Sequence, residues 1–223
     1  MPDLRLLTPD RVGDLVGSCA PCTFWQTVPH NGHGAPRDAA AHLDSLAAWV
    51  EEVTTDWGPP GRIAYADGRP VGHVVLAPAR FVPRLAAFPT APGDPATVML
   101  VTAVTAPEAN GDRRGLFKVL LQTAGKDALK RHVRALDVIA TRSCAVAPHA
   151  CVQQIEPLEK FGFRVEREHP AYPRLRIDLR TAVTLRDEAA AYLARALARI
   201  PGAHPAPEVH PRGSGSARSA DQR

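Results

Sequence analysis

The sequence predicts an α/β (α+β) domain, and three observations predict it. Short β-prone runs alternate with segments of helical period; Asp67-Gly68 between Arg62–Ala66 and Val71–Ala77 is a hairpin signal; and the run Thr97 to Thr105 is almost wholly β-branched or apolar. A strand of that last kind is buried on both faces and so central in its sheet. The 223 residues suit one domain of moderate size with a tail. With 45% hydrophobic and 22% charged residues, the chain has globular composition, which excludes general disorder.

Leu4 to Leu7 reads as a strand, and Thr8-Pro9 starts a short helix with Val12, Leu15 and Val16 on one face. After the loop PHNGHGAPRD, Asp38 can cap a second helix bearing Leu43, Leu46, Ala47 and Val50 at helical spacing; Gly58 to Gly61 ends it. The hairpin follows, then a proline-rich connection from Pro78 to Pro95 and the central strand. From Arg114 a helix carries Phe117, Leu120, Leu121, Ala124 and Ala128 as one apolar stripe. Next come a strand at Ala135 to Ala140, a helix from about Val152 to Phe161 stopped by Gly162, and two closing strands at Phe163–Glu168 and Leu175–Leu179. A last helix starts at Thr184. The domain is expected to span residues 1–200, and the aperiodic Pro/Gly/Ser-rich residues 201–223 to be a disordered tail.

The formal charge of +4 is concentrated: Gly111 to Arg134 holds seven cations (Arg113, Arg114, Lys118, Lys126, Lys130, Arg131, Arg134) against Asp112 and Asp127. Such a patch can meet nucleic acid, a membrane or a phosphorylated small molecule, or be a solvated helix face. The N-terminus lacks a cationic start with an unbroken apolar run, and no apolar stretch spans a bilayer, so a cytoplasmic chain is expected. Cys19, Cys22, Cys144 and Cys151 are too few for a disulfide scaffold and are expected reduced, as core residues. Cys19-x-x-Cys22 has zinc-knuckle spacing that His30 and His33 would complete; two buried thiols beside Phe24 and Trp25 are the expectation, and no metal.

The most informative stretch is the central strand, the loop APEANGDRRG and the basic helix that starts within it. A helix N-terminus offers unpaired backbone N–H groups and the positive end of the helix dipole, so it suits a pyrophosphate. The stretch VTAVTAPEANGDRRGLFKVLLQ resembles the acetyl-CoA motif of the GNAT superfamily of N-acetyltransferases, and CVQQIEPLEKFGF resembles its second motif, a helix ending in Lys-x-Gly-Phe. The order of elements is also that of the superfamily. Cys19-x-x-Cys22-x-Phe24-Trp25 and RLRIDLRTAV look like a bacterial branch that carries both features. The resemblance covers roughly residues 4 to 200.

It implies a mixed, mostly antiparallel sheet flanked by helices, acetyl-CoA as co-substrate, and transfer of the acetyl group to a primary amine of a small molecule or protein. Val104 and Thr105 would run beside the pantetheine arm. Arg113, Arg114, Gly115, Leu116 and Phe117 would surround the pyrophosphate, and Cys151 would occupy the position of the family's asparagine on that arm. Three departures stand out. Asp112 and Phe117 replace the usual Arg/Gln and Gly/Ala, the loop from Pro107 is two residues longer, and Leu158 replaces the tyrosine that protonates the departing thiolate. No catalytic residue is assigned; His30, His33, His73 and Glu108 are candidate bases. A non-catalytic acyl-CoA sensor of the same fold is the alternative, and a nucleic-acid-binding module on the basic helix ranks last. No nucleic-acid or membrane partner is expected, and a homodimer is left open.

Overall fold

The computed structural model describes residues 2–17, 22–28, 39–107, 113–142 and 151–180. All of these fall in one compact unit, Met1–Val183. The helix read from Thr184 and the tail 201–223 lie outside the described residues. So do Cys19, His30, His33, Glu108, Asp112 and Cys144.

The elements follow in the order β1 (Asp3–Leu6), α1 (Ala39–Asp56), β2 (Gly61–Ala66), β3 (Arg69–Pro78), β4 (Val98–Thr105), α2 (Arg113–Lys130), β5 (Ala135–Thr141), β6 (Gln153–Gln154), α3 (Ile155–Phe161), β7 (Arg164–Arg167) and β8 (Arg174–Asp178). One sheet runs β1-β2-β3-β4-β5-β8-β7, with the two-residue β6 pairing to β5. Its pairs are antiparallel except β4 with β5 and β5 with β6, so the mixed, mostly antiparallel sheet is found. The hairpin turn lies where expected, with Asp67 at φ 50° and Gly68 at φ 75°, the left-handed pair that a two-residue type I′ turn requires. The helix expected after Thr8 is instead a 3₁₀ turn, Pro9–Asp14, and Thr8 makes no side-chain cap. Residues 153–154, expected within a helix, bridge β5, and α3 begins only at Ile155.

Each face of the sheet carries its own core. On one, Leu46, Trp49, Val50 and Val53 of α1 pack with Ile63, Val75, Ala77, Met99 and Val101. On the other, Leu120, Leu121, Ala124 and Ala128 of α2 meet Ala64, Val74, Leu76, Val98, Leu100 and Leu136, joined by Leu158 and Phe163. The alternation along β4 breaks once. Val75 pairs with Thr102 and Leu76 with Leu100, which makes Val101 the extra residue of a β-bulge. Val98 and Leu100 before it and Ala103 after it therefore line the same layer.

β4 and β5 share a single paired position, Met99 with Asp137. There Asp137, 1% exposed, accepts two bonds from Arg176 on β8, at 2.6 Å from Nε and 3.1 Å from Nη2, and Arg174 Nη1 lies 3.5 Å away. Arg176 also pairs with Glu166 of β7 at 3.2 Å, and its basicity is raised, chiefly by the hydrogen bond to Asp137. Removing the carboxylate would take from Arg174 and Arg176 the counter-ion they share and leave Arg176 with Glu166; such a loss typically costs about 3–5 kcal/mol in a fully buried pair and less where the cation is partly exposed, as Arg176 is. Asp137→Asn should therefore lower the melting temperature well beyond the effect of Asp3→Asn, whose partner Arg5 is exposed. Equal shifts for the two variants, measured by scanning calorimetry, would show that the cluster carries no special weight.

Candidate functional site

Beyond Met99 the paired register of β4 and β5 stops, although β4 continues to Thr105 and β5 to Thr141. Two parallel neighbours that share only one bridge must part, so their C-terminal halves enclose a fork. On its other edge β4 stays laddered to β3 to the end, Val104 opposite His73 and Thr105 opposite Gly72. The bulge at Val101 supplies the bend, because an extra residue on one strand locally kinks and twists it.

The first turn of α2 sits beside this fork. Gly72 makes the approach close: a Cβ there would lie 3.0 Å from Leu120 Cδ1, 3.0 Å from the carbonyl oxygen of Val104 and 3.3 Å from Leu116 Cδ2. Leu116 and Phe117 are half-buried against the α2-side core, so the Phe117 ring is drawn partly into packing. Arg114 is exposed on the first turn, Gly115 is half-buried, and Arg113 is the first residue of the helix. The structure thus brings Val104, Thr105, Arg113, Arg114, Gly115, Leu116 and Phe117 to one end of the sheet. The helix also explains its Gly125, where a Cβ would come within 3.3 Å of Leu179.

Cys151 is a core residue, as expected. It is 2% exposed within the α1-side core, where the indole Nε1 of Trp25 donates to its carbonyl oxygen at 3.4 Å, and its sulfur is disulfide-bonded rather than reduced. Cys22, expected as a buried thiol beside Phe24 and Trp25, is 3.6 Å away sulfur to sulfur and only half-buried. The reason is long-range packing. Trp25 stacks on Phe88 at 5.5 Å and carries the segment 22–28 onto the residues after β5. Leu158 is wholly buried in the α2-side core and offers no proton donor.

Among the candidate bases, only His73 is described. It is 2% exposed, and its Nδ1 accepts the backbone N–H of Val16 at 3.1 Å, which uses the lone pair a base needs and puts the proton on Nε2. Desolvation lowers its pKa from 6.5 to about 4. His73 therefore anchors the residues after the 3₁₀ turn to β3. Tyr65 is likewise structural: it donates to Asp14 Oδ2 at 2.6 Å, and burial first, then that bond, pushes its pKa up to about 12.

Sequence reasoning passed over a second feature. At the end of β5, Arg142 pairs with Glu168 at 2.8 Å, and with His169 and Pro170 they line an open cleft of about 290 Å³. His169 Nδ1 accepts the backbone N–H groups of Ala171 and Tyr172 at 3.2 and 3.0 Å, so its Nε2 carries a proton. The Glu168-His169-Pro170 run was the available signal; neither residue falls at a motif spacing. No group of three or more metal-ligating side chains occurs among the described residues, and no helix there is long and apolar enough to cross a membrane.

No protein-family model matches this chain, and no curated protein matches it. Solved structures do. The PaiA N-acetyltransferase of Thermoplasma acidophilum, in complex with coenzyme A, is similar at 15% identity, with 80% of this chain and 99% of that one covered and a TM-score of 0.51. An N-acetyltransferase of Staphylococcus aureus is similar at 14% identity, with 80% and 99% coverage and a TM-score of 0.51. The ribosomal-protein-alanine N-acetyltransferase of Brucella melitensis is similar at 17% identity, with 79% and 99% coverage and a TM-score of 0.51. The chain therefore has the acyl-CoA N-acyltransferase fold.

The buried histidine gives a pH test. A group with its folded pKa lowered to about 4, against 6.5 in the unfolded chain, favours folding fully above pH 6.5. That contribution, up to about 3 kcal/mol, is lost as the pH falls from 6.5 towards 4, because the unfolded state takes up the proton first. In His73→Asn, whose amide oxygen can accept the same N–H, urea midpoints should fall less steeply across this window. A slope equal to that of the parent chain would remove His73 as the titrating group.

Proposed function

We propose that this chain is an N-acetyltransferase that takes its acetyl group from acetyl-CoA and passes it to a primary amine. The observation that carries the reading is the fork between β4 and β5 with the first turn of α2 at its mouth. A pantetheine arm is a chain of amides and can extend an opened sheet edge as a further strand would, through backbone hydrogen bonds to Val104 and Thr105. A pyrophosphate needs donors and positive charge, and the first turn of α2 supplies backbone N–H groups, the helix dipole and the cations Arg113 and Arg114. The likeness to N-acetyltransferases supports the same reading. In this reading Cys151 keeps its place beside the pantetheine arm on its motif position.

Acyl transfer from a thioester requires a neutral amine, a donor for the oxyanion and a proton for the departing thiolate. A β-bulge turns backbone N–H groups away from the ladder, and Val101 lies within the fork, so the bulge is our candidate for the oxyanion donor. The cleft at Arg142 and Glu168 is our candidate for the acceptor, since it opens at the C-terminal end of β5, one of the two strands of the fork. The base stays among His30, His33 and Glu108. Water replaces the tyrosine acid, because Leu158 offers no proton. The alternative, a non-catalytic acyl-CoA sensor, keeps the same fork and rests on that leucine. We read the chain as cytoplasmic, with residues 1–200 as the functional domain.

Acetyl-CoA should raise the melting temperature, since only the folded chain forms the fork. Arg113→Glu/Arg114→Glu should fold normally and weaken acetyl-CoA binding by roughly tenfold or more, in keeping with the loss and reversal of two cations beside a phosphate. Isothermal titration measures it; unchanged affinity removes the pyrophosphate from α2. Release of CoA thiol with a panel of amines separates the enzyme from the sensor.

A further inference from the structure

The segment from Asp14 to Gly17 crosses the sheet strand by strand. Asp14 Oδ2 accepts the phenol of Tyr65 on β2 at 2.6 Å, the N–H of Val16 donates to His73 Nδ1 on β3 at 3.1 Å, and Gly17 meets the side chain of Val104 on β4. Leu15 and Tyr65 belong to the α1-side core, so the segment lies on that face. His73 stands opposite Val104 in the ladder of β3 and β4, which sets the last two anchors side by side.

The contact at Gly17 is the tight one. Its φ is 85°, and a Cβ built on it would lie 2.8 Å from Val104 Cγ1, closer than packed side-chain atoms approach. Only the absence of that Cβ lets the backbone rest on Val104. Val104 is β-branched and stiff at χ1, so it has few ways to yield. Beyond Val104 lies the fork. The segment therefore ends as a wall on the α1 side of the strand that borders it.

We propose that Asp14–Gly17 is a positioning strap for acetyl-CoA, in which Gly17 sets the place of Val104 beside the pantetheine arm. The inference rests on reading the fork as the acetyl-CoA site. A side chain at Gly17 must either turn Val104 about χ1 or displace the end of β4, and both change the space along the arm. The strap acts through Val104 and touches no reacting atom.

Isothermal titration of the full-length chain with acetyl-CoA tests this with alanine variants. Gly17→Ala should bind roughly fivefold more weakly or worse, in keeping with the usual cost of overpacking. Gly68→Ala has a similar backbone strain at φ 75°, but its Cβ would meet nothing within 4 Å, and the same space is open at Gly13. Gly68→Ala and Gly13→Ala should therefore bind as the parent chain does. Gly17→Ala/Val104→Ala should bind as Val104→Ala does, because the clash needs both side chains, whereas general loss of stability would not be rescued this way. If Gly17→Ala folds poorly, Tyr65→Phe serves: it cuts the bond to Asp14, leaves the ring packed and should also weaken binding. A parent chain that does not bind acetyl-CoA would remove the reading of the fork and this inference with it. A parent chain that binds, with affinity unchanged in Gly17→Ala or in the Tyr65→Phe substitute, or with no recovery in the double variant, would overturn the strap alone.

Discussion

One buried carboxylate holds the plan of this sheet together. Asp137 is the residue at which β5 touches β4 on one side, through Met99, and Arg176 of β8 on the other. Its neighbours Leu136 and Val138 belong to the α2-side core, as do Leu175 and Ile177 around Arg176. A slip of one residue between β5 and β8 would turn the arginines into that apolar layer and strand the carboxylate, so ionic pairing and hydrophobic pairing select the same register. The desolvation of Asp137 is tolerable only with both arginines present. Everything beyond this point, including the fork, is oriented by it.

The fork follows from two local causes. The bulge at Val101 bends β4 after the pair at Met99, and Gly72 on β3 admits α2 close to the bent end. A second tie fixes the far part of the helix: Arg62 of β2 grips Asp127 at 2.6 and 3.2 Å, and Arg131 reaches the carbonyl of Pro59 at 2.8 Å while lying over the Trp57 ring. Burial lowers the basicity of Arg131. Arg131, just past α2, is therefore structural, held against the end of α1, whereas Lys118, Lys126 and Lys130 stay exposed.

How much of this was legible in the sequence depended on range. The hairpin at Asp67-Gly68, the both-face burial of β4, the apolar stripe of α2 and the stop at Gly162 are local, and each was readable because turn chemistry and side-chain period act over a few residues. The bulge was not, since Leu100 to Ala103 contains only residues at home in a strand, and an extra one leaves no mark on their hydropathy. The 3₁₀ form of Pro9–Asp14 and the late start of α3 are set by packing and by pairing with β5. Cys22 and Cys151 stand 129 residues apart, and only the docking of Trp25 on Phe88 brings them together. The turn into α2 was readable from its Gly/Arg run, whereas the role of His73 depended on the hydrogen bond from Val16.

The bulge also sets a phase along β4. Ahead of it, even-numbered residues face α2; behind it, odd-numbered ones do, so Val104 turns to the α1 side, where its Cγ1 would meet a Cβ on Gly17 at 2.8 Å. Loss of a single residue at Val101 would leave the strand just as apolar and just as long-lived in any propensity scale. It would nonetheless remove the kink here, while Ala103 would still face α2 and Val104 would still lie opposite His73. Related chains should therefore tolerate exchange of one apolar side chain for another here far more readily than insertion or deletion, and alignments through this strand should be gapless.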